Sequence, residues 1–221
     1  ELKSRGLGDV YKRQLIILTC VVLLPLLLSL WTSFTPFKLT KPDTLYRFVG
    51  FRNYERLIGD LDFWIAFGRT VLFLAIALNL ELVFGLGIAL LINKITYGQR
   101  TLRTLMMFPM MFSPILVGFQ WKYIFNDNIG LMNNFLREFG VIQPIPWLVD
   151  GILANVSIMA AEIWSSTSVF AILLLAGLLG IPKDPIEAAK VDGCNSWQVF
   201  KNITLPFLMP FVFIAMTIRS L

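Results

Sequence analysis

The sequence predicts an all-α integral membrane protein, a polytopic bundle of membrane-crossing helices, from three observations. Of its 221 residues, 57% are hydrophobic and only 15% charged, where a soluble domain carries about 25% charged residues. The apolar residues gather in blocks of about 20 or more, the length a helix needs to cross a ~30 Å hydrocarbon core. The basic residues behind the net charge of +5 flank these blocks instead of forming one stripe. That is the pattern of membrane topology, not of a nucleic-acid-binding face, so no nucleic acid is expected as a partner and membrane lipid is.

The first block, about residues 15–35, follows Lys12 and Arg13. A cleaved signal peptide would have a shorter apolar part and a small-residue site after it. Here Trp31, Phe34 and Phe37 follow, so the block is a signal-anchor span, with a kink expected at Pro25. Further spans are expected at about 66–92, 104–125 and 152–180, with a fifth over 203–221 that is incomplete. The chain begins with Glu1 and ends at Leu221 inside an apolar run, as expected of a piece of a longer protein. Residues 1–14 are read as a cytoplasmic N-terminal segment that need not be native throughout, and residues 15–221 as one transmembrane domain.

Orientation follows from Lys and Arg. The connection 93–103 contains Lys94, Arg100 and Arg103 and no acidic residue, which places it in the cytoplasm together with Lys12 and Arg13. The segment 36–65 is then external, and its basic residues are mixed with Asp43, Glu55, Asp60 and Asp62. The charged stretch 181–206, with Lys183, Lys190 and Lys201, falls on the cytoplasmic side.

Several chemistries lack their residues. There is no histidine, which removes His-based triads and zinc motifs, and no metal site is expected. Cys20 and Cys194 are far apart without a CxxC spacing, and read as an apolar filler and a loop thiol. No G-x-x-x-x-G-K-[ST] occurs, so the chain has no phosphate-cradling loop and no cofactor of its own is expected.

The stretch IPKDPIEAAKVDGCNSWQVFKNITLP, residues 181–206, carries the most information. Asp184 and Glu187 have the spacing of a reciprocal N-terminal capping pair, Pro185 suits a first helical position, and Gly193 suits a left-handed C-terminal cap. Together they predict a helix over 185–192. Asn195 or Ser196, with Gln198 behind it, predicts a second helix start, and Pro206 and Pro210 a disturbance at the entrance to the fifth span. Two turns of helix are unstable alone, so the bundle or a partner must hold them. Ala188 and Ala189 allow close approach, Ile186 and Val191 supply apolar contacts, and Glu187, Lys190 and Asp192 supply charges. A helix lying on the membrane surface is the other reading.

Glu187-Ala188-Ala189, three residues, Gly193, nine residues, then Ile203-x-Leu205-Pro206 resembles the EAA loop of permeases of binding-protein-dependent ABC importers (type I, carbohydrate-uptake family). Asp192 before the glycine agrees with the sugar-importer branch. FVGFRNYERLIGDLDFWIAFGRT, residues 48–70, is similar to the segment before the second span in carbohydrate-importer permeases, except that Leu61 replaces a usual Pro and Arg69 a usual Asn. LLLAGLLGIPKD at 173–184 extends the likeness.

The resemblance implies a subunit of the bacterial cytoplasmic (inner) membrane with six spans in the family core. It implies no catalytic residue in this chain, and a separate ABC ATPase in two copies that binds ATP and Mg. It further implies a second, homologous permease subunit and an extracytoplasmic solute-binding protein. Glu187, Ala188, Ala189, Asp192 and Gly193 would form the coupling helix that docks on the ATPase, framed by Asp184, Pro185, Ile203, Leu205 and Pro206. The activity implied is passage of a sugar or related polyol by alternating access.

Ionisable residues within spans are candidates for the substrate path because lipid disfavours them. Glu81 with Asn79, Glu162 with Trp164, and Gln120 with Trp121 are the choices, since sugars are bound by aromatic faces and polar side chains; interhelical hydrogen bonding is the alternative role. Gly85 with Ala89, and Ala176 with Gly180, have the small-xxx-small spacing of close helix contacts. An ion-coupled secondary transporter using Glu81 and Glu162 is the competing function, but it has no need of a docking helix. A membrane enzyme lacks any nucleophile–base or metal-ligand cluster.

Overall fold

The computed structural model describes residues 11–141 and 143–220, and most of the 1–14 segment lies outside them. Its contacts divide the chain into two compact units, one up to Arg69 and one from Thr70 onward. Among the described residues the structure is helical, with no strand beyond an isolated bridge between Lys38 and Lys41.

In the first unit, helix α1 (Tyr11–Ser33) is long and apolar enough to cross a membrane. It absorbs Pro25 by widening: Thr19–Leu23 is a π turn in which the Leu24 N–H donates to the Thr19 carbonyl. A proline ring clashes with the carbonyl four residues back and offers no N–H, and the wider i→i+5 turn immediately before it relieves both problems. The chain then folds back over the end of α1. Phe34 packs its ring on Phe48, Phe51 and Tyr54. Asn53, on the short helix α2 (Arg52–Ile58), donates from Nδ2 to the Ser33 and Thr35 carbonyls at 2.8 Å each. Gly50 makes the return at φ 62°. The residues of the F-x-G-F-x-N-Y pattern are therefore the ones that close this end of the helix.

Helix α3 (Leu61–Lys94) starts in the first unit and continues into the second. Asp60 caps it, its Oδ1 accepting from the Asp62 and Phe63 N–H groups. Leu61 is thus the first helical residue, where proline is favoured but nothing requires it. At 34 residues, about 51 Å at 1.5 Å per residue, α3 is longer than the expected 66–92 span.

The expected span at 104–125 is not one straight helix. It is a pair, α4 (Gln99–Met111) and α5 (Pro114–Ile124), bent by 90°. Pro114 forces the preceding Ser113 into extended conformation (ψ 143°), so the α4 helix cannot run on into α5. A short helix α6 (Leu131–Glu138) leads to α7 (Gly151–Leu179), whose first turn is capped by Asp150. Helix α8 (Lys183–Val191) and the long final helix α9 (Ser196–Ser220) follow. Among the described residues four helices are long and apolar enough to span a membrane, or five if the bent pair is one span.

The core of the second unit is built on α7. Phe170, Leu174, Leu175 and Leu178 are buried against Ala89 and Ile92 of α3 and Leu208, Val212 and Ala215 of α9, with Leu102 and Met106 of α4 closing one side. Gly85 is required by this packing: a Cβ there would lie 2.5 Å from the Phe170 Cβ. Gly85 and Ala89 thus make a close contact, as their spacing predicts. Ala176 and Gly180 are exposed. The small residue that α7 turns inward is Gly177, where a Cβ would meet Phe211 and Leu208 of α9 at 2.8 and 2.9 Å.

Candidate functional site

The polar residues of the second unit collect at two places, one within the helix bundle and one at the end that carries α8.

Within the bundle, Glu81 of α3 has no solvent exposure. Arg219 of α9 donates to it from Nε at 3.2 Å and from a terminal nitrogen at 3.3 Å. The same guanidinium bonds Glu162 of α7, whose carboxylate also faces the Ser166 hydroxyl at 3.4 Å. A buried carboxylate is tolerated only when paired and hydrogen-bonded, and a planar guanidinium is the side chain suited to bridging two of them. The triad is thus a tie between the three helices that build the core. Its two carboxylates differ: Glu81 is sealed, whereas the Glu162 side chain is 41% exposed.

That exposure opens on a cavity of about 550 Å³ between α5, α7 and α9. Glu162, Arg219 and Lys122 supply its charges, Ser165 and Ser166 its hydroxyls, and Trp121 and Phe125 its aromatic wall. Ser157 also lines it, with a buried Oγ that has no hydrogen-bond partner among the described residues. Trp121 stands between this cavity and a shallower hollow of about 480 Å³ that Gln120 and Trp164 help to form; the two indoles lie 6.0 Å apart, edge to face.

The residues singled out for a substrate path are therefore distributed. Glu162 and Trp121 meet at the main cavity, while Gln120 and Trp164 belong to its neighbour. Glu81 stands behind Arg219, outside both linings. Asn79 is exposed and donates to the Ala75 carbonyl of its own helix at 2.7 Å. Sequence reasoning missed Arg219, although an arginine in an apolar block beside two intramembrane carboxylates was the available signal. It also missed Asn133, a buried amide with four bonds. Its Nδ2 donates to the Asp127 and Ile145 carbonyls, and its Oδ1 accepts from the Ile145 N–H and the Trp147 indole. This amide holds the 127–147 segment beside the cavity, where Trp147 packs on Phe125 at 5.5 Å.

At the other place, α8 differs from its expected boundaries. It begins at Lys183 with Pro182 as N-cap, no side chain caps it, and the Asp184–Glu187 capping pair does not form. Pro185 is the third helical residue. It is tolerated there because the first four N–H groups of a helix have no intrahelical partner. The C-terminus is as expected: Gly193 sits at φ 81°, the Cys194 N–H donates to Ala189 and the Gly193 N–H to Lys190. These two bonds form a Schellman motif. Asn195 then opens α9 with a capping box to Gln198 at 2.8 and 2.9 Å. Before Pro206 lies a second π turn, Phe200–Thr204, repeating the device of α1.

Glu187, Ala188, Asp192 and Gly193 are exposed, while Ile186 and Ala189 are half-buried. Ile203 and Leu205 are also half-buried, at the root of α9. Val191, expected as an apolar contact, is 87% exposed. The helix thus rests on the bundle by one side and presents the other.

The second unit is thus a bundle of apolar helices with a cavity and a polar tie in its interior and a short helix presented at one end. The chain belongs to the binding-protein-dependent transport system inner membrane components, whose family profile matches residues 81–221. It is 35% identical over its whole length to the trehalose/maltose transport system permease protein MalF of Thermococcus litoralis, spanning 75% of that protein. It is 34% identical over 92% of its length to the probable ABC transporter permease protein y4oQ of Sinorhizobium fredii. The chain spans 65% of y4oQ, slightly less than two thirds. The fold matches the crystal structure of a bacterial alginate ABC transporter in complex with an alginate pentasaccharide-bound periplasmic protein. The TM-score is 0.80 at 20% identity, covering 98% of this chain and 72% of that one. These relatives are permease proteins, and the chain is a multi-pass inner-membrane component of that kind.

Proposed function

We propose that this chain is the membrane-spanning subunit of an ATP-driven importer that passes a sugar or related polyol from an extracytoplasmic binding protein to the cytoplasm by alternating access. The observation that carries the substrate reading is the 550 Å³ cavity, in which the accessible Glu162 carboxylate, serine hydroxyls and the Trp121 face converge. A carboxylate accepts from vicinal hydroxyls, the serines donate and accept, and an indole face covers the apolar side of a sugar ring. The names of relatives support the same class, trehalose and maltose for MalF and trehalose for SugA of Mycobacterium tuberculosis.

Energy enters at α8, whose exposed Glu187, Ala188 and Asp192 dock on an ATPase subunit while Gly193 makes the turn back to the bundle. Two ATPase copies, which bind ATP and Mg, a second permease and the binding protein complete the assembly, and the N-terminus lies in the cytoplasm. Because α7 runs from beside the cavity to the residues before α8, movement of α8 is transmitted along a rigid helix to Glu162. Both carboxylates that an ion-coupled carrier would use are engaged by Arg219, which speaks against that alternative.

The test is uptake by the full-length subunit reconstituted with its partners. Glu162→Gln and Trp121→Ala should each lower uptake while ATP hydrolysis persists, and Glu187→Lys should leave hydrolysis running without uptake. Uptake that continues without ATP and collapses with an ion gradient would overturn the reading.

A further inference from the structure

The end of the second unit that carries α8 contains another cavity, about 530 Å³, between α8 and the ends of α3, α7 and α9. Lys94, the last residue of α3, and Lys190, in the last turn of α8, line it, and among the described residues no carboxylate does. Among the described residues neither lysine takes part in an ion pair. Asn93, Ser196 and Thr204 add neutral hydrogen-bonding groups near them. The rest of the wall is apolar, with Leu90, Leu178, Ile186 and Phe200 behind the lysines, and Trp197 beside them, 67% exposed.

The apolar run of α3 ends at Ile92 and is followed directly by Asn93 and Lys94, which puts the cavity at the level where the hydrocarbon gives way to water and where lysine and tryptophan settle in membrane proteins. We propose that this cavity seats an anionic phospholipid, with its phosphate between Lys94 and Lys190 and an acyl segment on the apolar wall. Two cations in a lining that contains no carboxylate, with Glu187 of α8 and its C-cap Asp192 outside it, select a net negative headgroup over a zwitterionic one, whose own cation they would repel. Free phosphate would use the lysines and leave the apolar wall bare.

The bound lipid has a structural consequence. Helix α8 has nine residues, no side-chain cap and no fully buried residue, which is too little to hold a helix by itself. A phosphate shared by Lys190 of α8 and Lys94 of α3 ties the presented helix to the bundle. This inference stands apart from the sugar reading and from the choice of substrate.

The test uses the full-length subunit in nanodiscs of phosphatidylcholine with a minor fraction of phosphatidylglycerol, with retained lipid counted by native mass spectrometry. The wild-type protein should be enriched in phosphatidylglycerol. Near-surface lysines are worth roughly fivefold each in anionic-lipid attraction, so Lys94→Gln with Lys190→Gln should lower the enrichment about 30-fold. The Lys→Arg pair should retain it, and Lys201→Gln, a basic residue outside the cavity, should leave it unchanged. Equal loss in Lys201→Gln would reduce the effect to general surface charge. Displacement by millimolar inorganic phosphate would make the site a phosphate site. Either result, or retention of phosphatidylcholine without preference, overturns the proposal. If the double variant does not insert, the single variants carry the test, each with an expected loss of about fivefold.

Discussion

Arg219 bonds the buried Glu81 carboxylate through two of its nitrogens, joining residues 138 positions apart in the chain. The same guanidinium reaches Glu162, so one side chain on α9 holds α3 and α7 together at the cavity wall.

Removing that side chain should be strongly destabilising. Arg219→Met leaves the Glu81 carboxylate buried without its partner, a loss of about 3–5 kcal/mol for a fully buried pair and toward the lower end here, because Arg219 is partly exposed. Glu81→Leu with Arg219→Met should recover most of it, since replacing both members of a buried pair by apolar groups is close to neutral. Thermal unfolding in detergent checks both outcomes. Equal loss in the single and double variants would show that the triad is not what stabilises this region.

Gly85 and Gly87 lie on the same helix with opposite surroundings. Gly85→Ala puts a methyl against Phe170 and should destabilise by about 1–3 kcal/mol by forcing α3 from α7. Gly87→Ala meets nothing within 4 Å and should be neutral or stabilising by up to about 1 kcal/mol, from backbone entropy alone. The melting temperature should therefore fall for Gly85→Ala and hold or rise for Gly87→Ala.

At Gly193 the constraint is conformational. A Cβ there would meet no atom within 4 Å, but φ is 81°. Gly193→Val should strain the turn by about 1–2 kcal/mol, whereas Gly193→Asn, a residue that tolerates the left-handed region, should be milder. The ratio of uptake to ATP hydrolysis in the reconstituted system should fall for Val well before it falls for Asn. Identical behaviour of the two would point to a side-chain clash with a partner in place of backbone strain.

Asn133→Ala orphans the Trp147 indole N–H together with backbone groups at Asp127 and Ile145. At about 1–3 kcal/mol per buried unsatisfied group, the 127–147 segment should open before the bundle melts. Hydrogen exchange should show protection lost there and kept in α7.

Much of the architecture was legible because membrane insertion imposes a one-dimensional rule. Apolar length marks a span, and the ends of α3, α7 and the first span fall within a few residues of the predicted blocks, at Leu61–Lys94, Gly151–Leu179 and Tyr11–Ser33. The Gly193 turn and the Asn195 cap were legible because capping is local chemistry. The break at Phe112–Ser113 escaped a reading by hydropathy, since the bent pair keeps the apolar composition of a single span while Pro114 redirects the backbone. The start of α8 escaped because Pro182 supplies the required backbone angles without a side-chain cap, which leaves Asp184 no capping role.

What the sequence determined by itself is the membrane-spanning class, the approximate spans and the presented helix with its left-handed turn. Each of these depends on residues close together in the chain. Tertiary structure alone decided that Glu162 and Trp121 share a cavity while Asn79 turns to its own helix, that Gly177 and not Ala176 or Gly180 meets α9, and that Arg219 joins Glu81 to Glu162. Those outcomes depend on the relative rotation of packed helices. That rotation is set by the contacts of Gly85, Phe170 and Leu208 across the bundle, and no single helix encodes it.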